Sequence, residues 1–347
     1  MAGGKKGADT MTMRGRMSRA LTAALLALGL IVPAHARAEV APFYTRNLSP
    51  FIQIFGLPAM ESGALAPAGS IDTKLALDIA NNSIQGGNDL EQVVIDGETY
   101  RAALTLRYRV SPAIELGLDV PLVHHSGGIF DSFIDGWHDT FGLSNNARRQ
   151  FENSTLNYRY TRDGIQRVAI TQADNGIGDL RLSTGYRILQ DNGPLPRAIA
   201  LRAGLKLPTG DPDLLLGSGG TDLSLSINFS DSQLLGSADW TLFGAAGIVA
   251  LGNGDVLPEL HRNAAGFGVL GVGWHAWRMV NLKTQLNTHT AMYRSDLAEL
   301  GSDAIELIVG GDIALPHRMT LDIGVTENLF SGPTPDVALH LLLRRAY

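Results

Sequence analysis

Cysteine is absent from all 347 residues of the sequence. No disulfide can hold the fold together, which fits a protein of the bacterial envelope that does not rely on such bonds. Charged residues are also sparse, at 18% of the chain. Beyond the first forty residues, no apolar run is long enough to cross a membrane as a helix. Apolar residues nevertheless make up 45% of the chain, and they alternate with polar ones rather than cluster.

An excess of basic residues is missing as well. The sequence has 28 Lys and Arg residues against 34 Asp and Glu. Cleavage after Ala38 would remove six basic residues and one acidic residue, which leaves a net charge of −11. Because nucleic-acid binding needs a basic surface for the phosphates, this balance excludes nucleic acid as a partner.

The first 38 residues have the pattern of an export signal. Basic residues precede an apolar stretch at 20–32, and small residues then flank expected cleavage sites after Ala36 or Ala38. The apolar stretch has 13 residues, too few to span a bilayer as a helix. We therefore expect a signal peptide at 1–38, followed by a periplasmic or lumen-entering segment at 39–70.

The last residues alternate in the manner of a barrel strand. Val337, Leu339 and Leu341 share one parity, which ends on the aromatic Tyr347. An aromatic carboxy-terminus resembles the signal read by the barrel-assembly machinery, although Arg345 stands where that signal prefers an apolar residue. The pattern predicts a closing strand and this machinery as a partner.

Similar alternation recurs along residues 71–347 and predicts a transmembrane antiparallel β-barrel of twelve strands, an even number as in bacterial single-chain barrels. The predicted strands lie near 71–79, 100–110, 113–123, 179–189, 198–207, 221–230, 238–250, 264–275, 280–292, 304–315, 318–326 and 336–347. Short links alternate with longer ones, including 80–97 and 124–178, as periplasmic turns alternate with outside loops in barrels. A soluble β-sandwich also has alternating strands, but it would leave the many charged residues outside. We therefore expect a protein of the bacterial outer membrane, in contact with its lipid and lipopolysaccharide.

The two faces of the predicted strands differ in chemistry. Backbone groups in hydrocarbon must all be paired, so the sheet has to close, with its apolar parity towards lipid. The charged parity then lines the lumen, either as a lattice of salt bridges or as a charged constriction. The predicted inward residues are Asp72, Lys74, Asp78, Arg101, Arg107, Arg109, Glu115, Asp119, Arg181, Arg187, Arg202, Lys206, Asp222, Lys283, Glu306, Asp312, Asp322 and Arg344.

The long link after the third strand changes to helical periodicity. An apolar face predicts a short amphipathic helix in an outside loop, acting either as a lid or ligand platform or as a surface anchor. Its candidate residues are Phe130, Phe133, Ile134, Trp137, His138 and Phe141. Acids on the other face are expected to be solvated, and the sequence predicts no metal and no cofactor.

A histidine and a serine raise an enzymatic alternative. His124 and Ser126 share the lipid-facing parity, and outer-membrane lipid hydrolases use a His-x-Ser pair placed in this way, with the imidazole as base. A third, orienting group is not uniquely placed; Asn145 and Asn153 are possibilities.

Several sequence motifs resemble those of a known family. They include Asn47-Leu48-Ser49-Pro50, Phe55-Gly56-Leu57-Pro58, Gly176-Ile177-Gly178-Asp179, Leu207-Pro208-Thr209-Gly210 and Gly217-Ser218-Gly219. As a set they resemble an uncharacterised family of outer-membrane barrels defined as a domain of unknown function. The Gly-x-Gly-Asp and Leu-Pro-Thr-Gly-Asp motifs are also similar to motifs of barrels grouped with phenol meta-pathway proteins. The resemblance implies location and fold, and no established activity.

From these patterns we expect a channel or transporter for a small, possibly hydrophobic, molecule. The alternatives are a lipid-directed hydrolase that uses His124 and Ser126, and a purely structural barrel. The small-molecule ligand is not identified by the sequence, because alternation does not encode the shape of a lumen.

Overall fold

The computed structural model describes residues 40–128, 155–330 and 332–347. In this part of the chain fifteen strands form one antiparallel sheet. They are β1 (Ile71–Gly87), β2 (Glu91–Arg109), β3 (Ile114–Ser126), β4 (Asn157–Arg162), β5 (Ile165–Ile170), β6 (Asp174–Ile177), β7 (Arg181–Asp191), β8 (Arg197–Lys206), β9 (Asp222–Asp231), β10 (Trp240–Ala250), β11 (Ala264–Trp277), β12 (Val280–His289), β13 (Ala304–Leu315), β14 (Met319–Asn328) and β15 (Val337–Ala346).

Twelve of these strands close into a barrel. Each of β7 to β14 pairs with the next along the chain, and β3 pairs with both β2 and β7. β1 pairs with β2 and also with β15, from Asp72↔Ala346 to Asn81↔Val337. Every predicted strand coincides with one of the twelve. The prediction of a twelve-stranded antiparallel barrel is therefore confirmed.

Two predicted loops contain strands instead. Residues 80–97 were expected to be an outside loop, but β1 continues to Gly87 and β2 begins at Glu91. The hairpin is long enough to leave the barrel, and β4 and β5 extend it into a four-stranded flap. Tyr158 and Tyr160 are fully buried at period two, and they pack this flap onto the barrel mouth. Val93, Ile95 and Ile170 lie in the same buried cluster, but the alternation around them is too short to predict strands.

The outer surface of the barrel is apolar and the inner surface is charged. Leu282 is 41% exposed, whereas the next residue, Lys283, is 2% exposed. The same alternation holds from Leu75 to Leu286 on the outside, as expected for strands that face lipid. Trp240, Trp274 and Trp277 form an exposed stacked cluster at the end with short turns, where barrels carry an aromatic girdle.

Residues 40–70 run inside this barrel as a hairpin-shaped segment. Val40 lies against Gly273 near the end with short turns, and the Asn47 side chain donates to the Pro333 carbonyl near the end with long loops. The chain turns over residues 49–55 and descends past Ser230, where the Ser62 hydroxyl lies 3.0 Å from the Ser230 hydroxyl. It reaches the short-turn end again just before β1. We call residues 40–70 the lumen segment.

A hydrophobic cluster covers the end with long loops. The turn of the lumen segment packs there beneath the flap and the loops after β8, β10 and β12. These loops hold one short 3-10 turn, Pro258–Leu260, and one helical turn, Ala298–Gly301. In the described ranges no helix is long and apolar enough to cross a membrane. We call this apolar assembly the mouth cluster; its members include Phe51, Phe55, Tyr158, Leu215, Val256, Leu260, Tyr293 and Leu300.

Candidate functional site in the barrel lumen

The lumen segment is bound to the wall through one carboxylate. Glu61 lies 2.5 Å from the Arg107 guanidinium, 3.2 Å from the Lys74 ammonium and 3.8 Å from Arg202. These cations come from β2, β1 and β8, so Glu61 bridges three strands of the wall. Buried charges are stable only when they are paired. Glu61 therefore holds the descending arm of the segment in place.

The two arginines of this network also bind neighbouring carboxylates. Arg107 also binds Asp119 at 2.7 Å, and Arg202 binds Glu115 at 2.9 Å. The Tyr44 hydroxyl of the lumen segment donates to Asp119 at 3.0 Å. The wall and the segment thus share one network of charges.

A second network lies where the long loops begin. The Lys206 ammonium binds Asp179 at 2.7 Å and Asp222 at 3.2 Å, and also donates to the Ile54 carbonyl. Asp222 in turn accepts the Gly56 amide at 2.7 Å. A Cβ on Gly56 would stand 2.6 Å from the Asp222 Cβ, so this approach requires glycine.

Asp179 connects three of the sequence motifs that carry the family resemblance. Its carboxylate accepts the backbone amides of Thr209 at 3.0 Å, Gly210 at 2.8 Å and Ser218 at 3.1 Å. The Gly-x-Gly-Asp motif therefore binds the Leu-Pro-Thr-Gly and Gly-Ser-Gly motifs of the loop after β8 through the Asp179 carboxylate. A carboxylate that accepts several amides is a strong anchor.

The remaining inward charges lie on the other side of the barrel. Lys283 binds Asp322 at 2.8 Å and Asp312 at 3.3 Å, and its ammonium lies over the Phe43 ring of the lumen segment. Arg344 binds Asp72 at 2.9 Å. Most of the predicted inward charges are therefore engaged in ion pairs.

Six predicted inward residues form no pair between a Lys or Arg and an acid within the described ranges. Arg101 and Arg181 line a cavity, and the other four are placed as follows. Asp78 binds the His340 ring at 2.6 Å rather than a Lys or Arg. Arg109 donates to backbone carbonyls of residues 65, 66, 111 and 112, near the short turns. Glu306 is buried and lines a small cavity beside Asn287 and His289. Arg187 is half-buried near the same short-turn end as Arg109.

The mouth cluster keeps its polar groups neutral. Phe55 packs edge-on against His261 and Tyr293, with ring centroids 5.3 and 5.2 Å away. Burial lowers the pKa of His261 and raises the pKa of Tyr293 well above its ordinary value. The Tyr293 hydroxyl donates to the Phe51 carbonyl of the lumen segment. The top of the segment is thus held by apolar packing and neutral hydrogen bonds.

His124 and Ser126 are not brought into hydrogen-bond contact. The His124 Nδ1 donates to the Asp174 carbonyl at 2.9 Å, and the Ser126 hydroxyl accepts the Gly128 amide at 3.2 Å. The adjacent His125 faces inward and contacts Thr99. The candidates of the loop helix (Phe130, Phe133, Ile134, Trp137, His138 and Phe141), with Asn145 and Asn153, lie outside the described residues.

Sequence reasoning missed the contribution of residues 39–70 to the site. Tyr44, Arg46 and Glu61 all face the wall side chains, yet the segment has no period-two alternation that would mark an inward face. The available signal is Glu61, the single acid between residues 40 and 70, in a stretch that carries two of the motifs of the family resemblance.

Comparison with known proteins identifies the family and the fold. The family model described as a protein of unknown function, DUF3187, matches residues 23–347. No curated protein matches the chain. Among solved structures, the COG4313 outer membrane channel from Pseudomonas putida F1 is 13% identical, with a TM-score of 0.55 over 82% of this chain and 97% of that one. The KdgM porin aligns over 80% and 99% of the two chains at 8% identity and a TM-score of 0.40.

The Ralstonia pickettii toluene transporter TbuX aligns over 82% of this chain and 90% of its own, at 8% identity and a TM-score of 0.36. At such identities these similarities concern the fold alone, and only the first TM-score is high enough to be informative. The barrel fold of this chain is that of bacterial outer-membrane channels. The match over residues 23–347 shows that the chain belongs to the DUF3187 family.

Proposed function

We propose that this protein is an outer-membrane channel for a small, partly apolar molecule, and that the lumen segment is its gate. The apolar outer surface and the closed sheet support a position in a membrane. Because one fold serves many functions, the lumen rather than the barrel decides whether the protein is a channel.

One observation carries the proposal: the lumen is filled by a separate hairpin of chain, whose two ends lie at the same end of the barrel. Val40 packs beside Gly273, and the Gly69 amide bonds the Arg109 carbonyl, both near the short turns. Such a hairpin can withdraw without threading any end through the wall. A purely structural barrel would need only the side chains of its strands to fill the interior.

The contacts of the hairpin also suit a gate. Along its arms it is held by ion pairs and hydrogen bonds around small cavities, rather than by continuous packing. Water that enters as the arms move can solvate these polar groups, so the cost of separation is lower than for a fully packed core. The mouth cluster supplies the tighter seal at the outer end.

Solute flux tests the proposal. The processed protein, reconstituted in liposomes, should admit benzyl alcohol and benzoate faster than protein-free liposomes, with little passage of a disaccharide. Flux equal to that of protein-free liposomes for every solute would contradict a channel. Release of fatty acid from the liposome lipid that Ser126→Ala abolishes would replace it with a hydrolase.

A further inference from the structure

Three arginines meet at one cavity in the lumen. Arg46 comes from the rising arm of the lumen segment, Arg101 from β2 and Arg181 from the start of β7. The same cavity is lined by Asp119, Asp179 and Lys206, together with Tyr44, Gly56, Ala59 and Ala103. We call it the arginine cavity.

The acids of this cavity are already engaged elsewhere. Asp119 binds Arg107 at 2.7 Å and accepts the Tyr44 hydroxyl. Asp179 binds Lys206 at 2.7 Å and accepts three backbone amides. Lys206 is matched by Asp179 and Asp222. These three acids and two cations leave one negative charge, so the three arginines bring two positive charges in excess.

Within the described ranges, none of the three arginines forms an ion pair. Arg46 donates to the carbonyls of Leu57 at 2.7 Å and Gln53 at 3.2 Å, while its buried Nε has no partner. Arg181 donates to the Ser224 hydroxyl at 2.9 Å. These bonds use only part of the five N–H donors that each guanidinium carries.

Arg101 is the least matched of the three. It is 8% exposed, and its cross-strand neighbours are Asp78 and Val123. The Asp78 carboxylate is occupied by the His340 ring at 2.6 Å and accepts the Thr45 hydroxyl. A buried guanidinium without a carboxylate is costly, so the convergence of three favours an anionic guest.

A second cavity, with both apolar and polar walls, adjoins the arginine cavity. The two share Tyr44, Ala59, Asp119 and Arg181 in their linings. The apolar wall of the second cavity is formed by Pro58, Met60, Ala203, Ala245, Phe267 and Val269, and the rest is lined by Glu61, Arg107, Arg202 and uncharged polar side chains. Cationic donors and an apolar surface thus lie side by side along the lumen.

We propose that the arginine cavity, widened by a shift of the lumen segment, binds the carboxylate of a small organic acid, with the apolar body of the acid against the apolar wall of the adjoining cavity. The planar fork of arginine matches a carboxylate in two parallel hydrogen bonds. Asp119 and Asp179 on the rim disfavour a guest with two charges. This inference deepens the proposed function, on which it rests for the claim that the acid is the solute carried.

Equilibrium dialysis of radiolabelled benzoate and acetate against the folded, detergent-solubilised protein tests the site directly. Benzoate should bind more tightly than acetate, and benzyl alcohol, its neutral counterpart, should bind at least about tenfold more weakly than benzoate. Arg101→Gln and Arg181→Gln should each lower the benzoate affinity at least about tenfold. Arg101→Lys keeps the charge but loses the fork and should give a smaller loss.

Arg187→Gln is the matched control, because Arg187 faces inward on the same strand as Arg181 and lies outside both cavities. Its benzoate affinity should equal that of the unaltered protein. Equal losses in all three glutamine variants, or benzyl alcohol binding as tightly as benzoate, would overturn the site. Heat-modifiable gel mobility verifies folding in each case. Binding without flux into liposomes would contradict the channel and leave the site standing.

Discussion

Glu61 is the residue on which the closed lumen depends most. It stands alone in the lumen segment against three wall cations, and its side chain is 11% exposed. Glu61→Gln keeps the size but leaves Lys74 without its carboxylate. Removal of one partner from a buried ion pair costs about 3 kcal/mol or more. We expect the free energy of unfolding in detergent, measured by urea titration, to fall by about that amount.

A matched substitution separates the loss of this network from the loss of any carboxylate. Glu259 is 40% exposed and lies 3.8 Å from Arg167, itself on the surface. Glu259→Gln should change the free energy of unfolding by less than about 1 kcal/mol, as for exposed pairs. Similar losses in both variants would show that Glu61 does not hold the segment.

The sequence could predict which wall residues face inward, but not their partners. Leu282 and Lys283 differ in parity, and the structure places them on opposite faces as the alternation required. The partners of Lys74 and Arg107 include Glu61, in a stretch with no alternation. Parity reports which face of a strand a residue occupies, whereas pairing depends on how a separate segment is threaded.

At the scale of elements, the mouth cluster is the outer seal. Phe55 is 1% exposed and lies between His261 and Tyr293. Phe55→Ala removes the ring at the top of the lumen segment and should lower the free energy of unfolding by about 3–5 kcal/mol. It should also increase the rate at which benzyl alcohol enters proteoliposomes.

Phe330→Ala is the control for this substitution, because Phe330 is exposed and is not a member of the mouth cluster. Its side chain is 67% exposed, so Phe330→Ala should leave the rate of entry unchanged and alter stability by no more than about 0.5 kcal/mol. If Phe55→Ala retains a folded barrel and the unaltered rate of entry, the mouth cluster is not the seal.

The junction between β6 and β7 is the second element with a testable role. The Asp179 carboxylate accepts hydrogen bonds from three backbone amides and one ammonium. Asp179→Asn places an NH₂ group against some of these donors, and it cannot accept from them. We expect a loss of about 3 kcal/mol in stability, with faster proteolysis of the loop after β8. Asp211→Asn in the same loop is exposed and should leave the cleavage rate unchanged. Equal cleavage of both variants would contradict the anchor.

The elements that the sequence predicted and those it missed differ in their surroundings. In strands with a lipid face, such as β12, apolar and polar residues alternate strongly. The outward side chains contact hydrocarbon, where leucine is stable and a charged side chain is not. β4 and β5 pack a flap above the membrane, where one face meets the mouth cluster and the other meets water. Tyr158, Tyr160 and Ile170 mark that face, and three positions are too few to distinguish two short strands from a loop.

At the scale of the whole molecule, the central claim is that the lumen segment must leave its place for solute to pass. The absence of native cysteine makes an unambiguous tether possible. A Cβ built on Gly273 would lie 2.9 Å from the Val40 Cβ, about 1 Å closer than in a disulfide. The pair Val40→Cys with Gly273→Cys therefore needs only a small shift to lock the segment to β11.

A second pair controls for oxidation and for added cysteine. Ser232→Cys with Thr241→Cys would tether the residue that follows β9 to β10, where the two hydroxyls lie 3.2 Å apart. This bond does not involve the lumen segment and should not affect passage. Solute flux should therefore be the same in the oxidised and reduced forms of this control.

The most direct measurement is the entry of benzyl alcohol into proteoliposomes that carry the Val40–Gly273 tether, before and after reduction. We expect benzyl alcohol to enter liposomes with the oxidised protein no faster than protein-free liposomes, and reduction to restore the flux of the unaltered protein. Equal flux through the oxidised and reduced tethered protein, with the disulfide verified by mass spectrometry, would contradict the claim that the lumen segment is the gate.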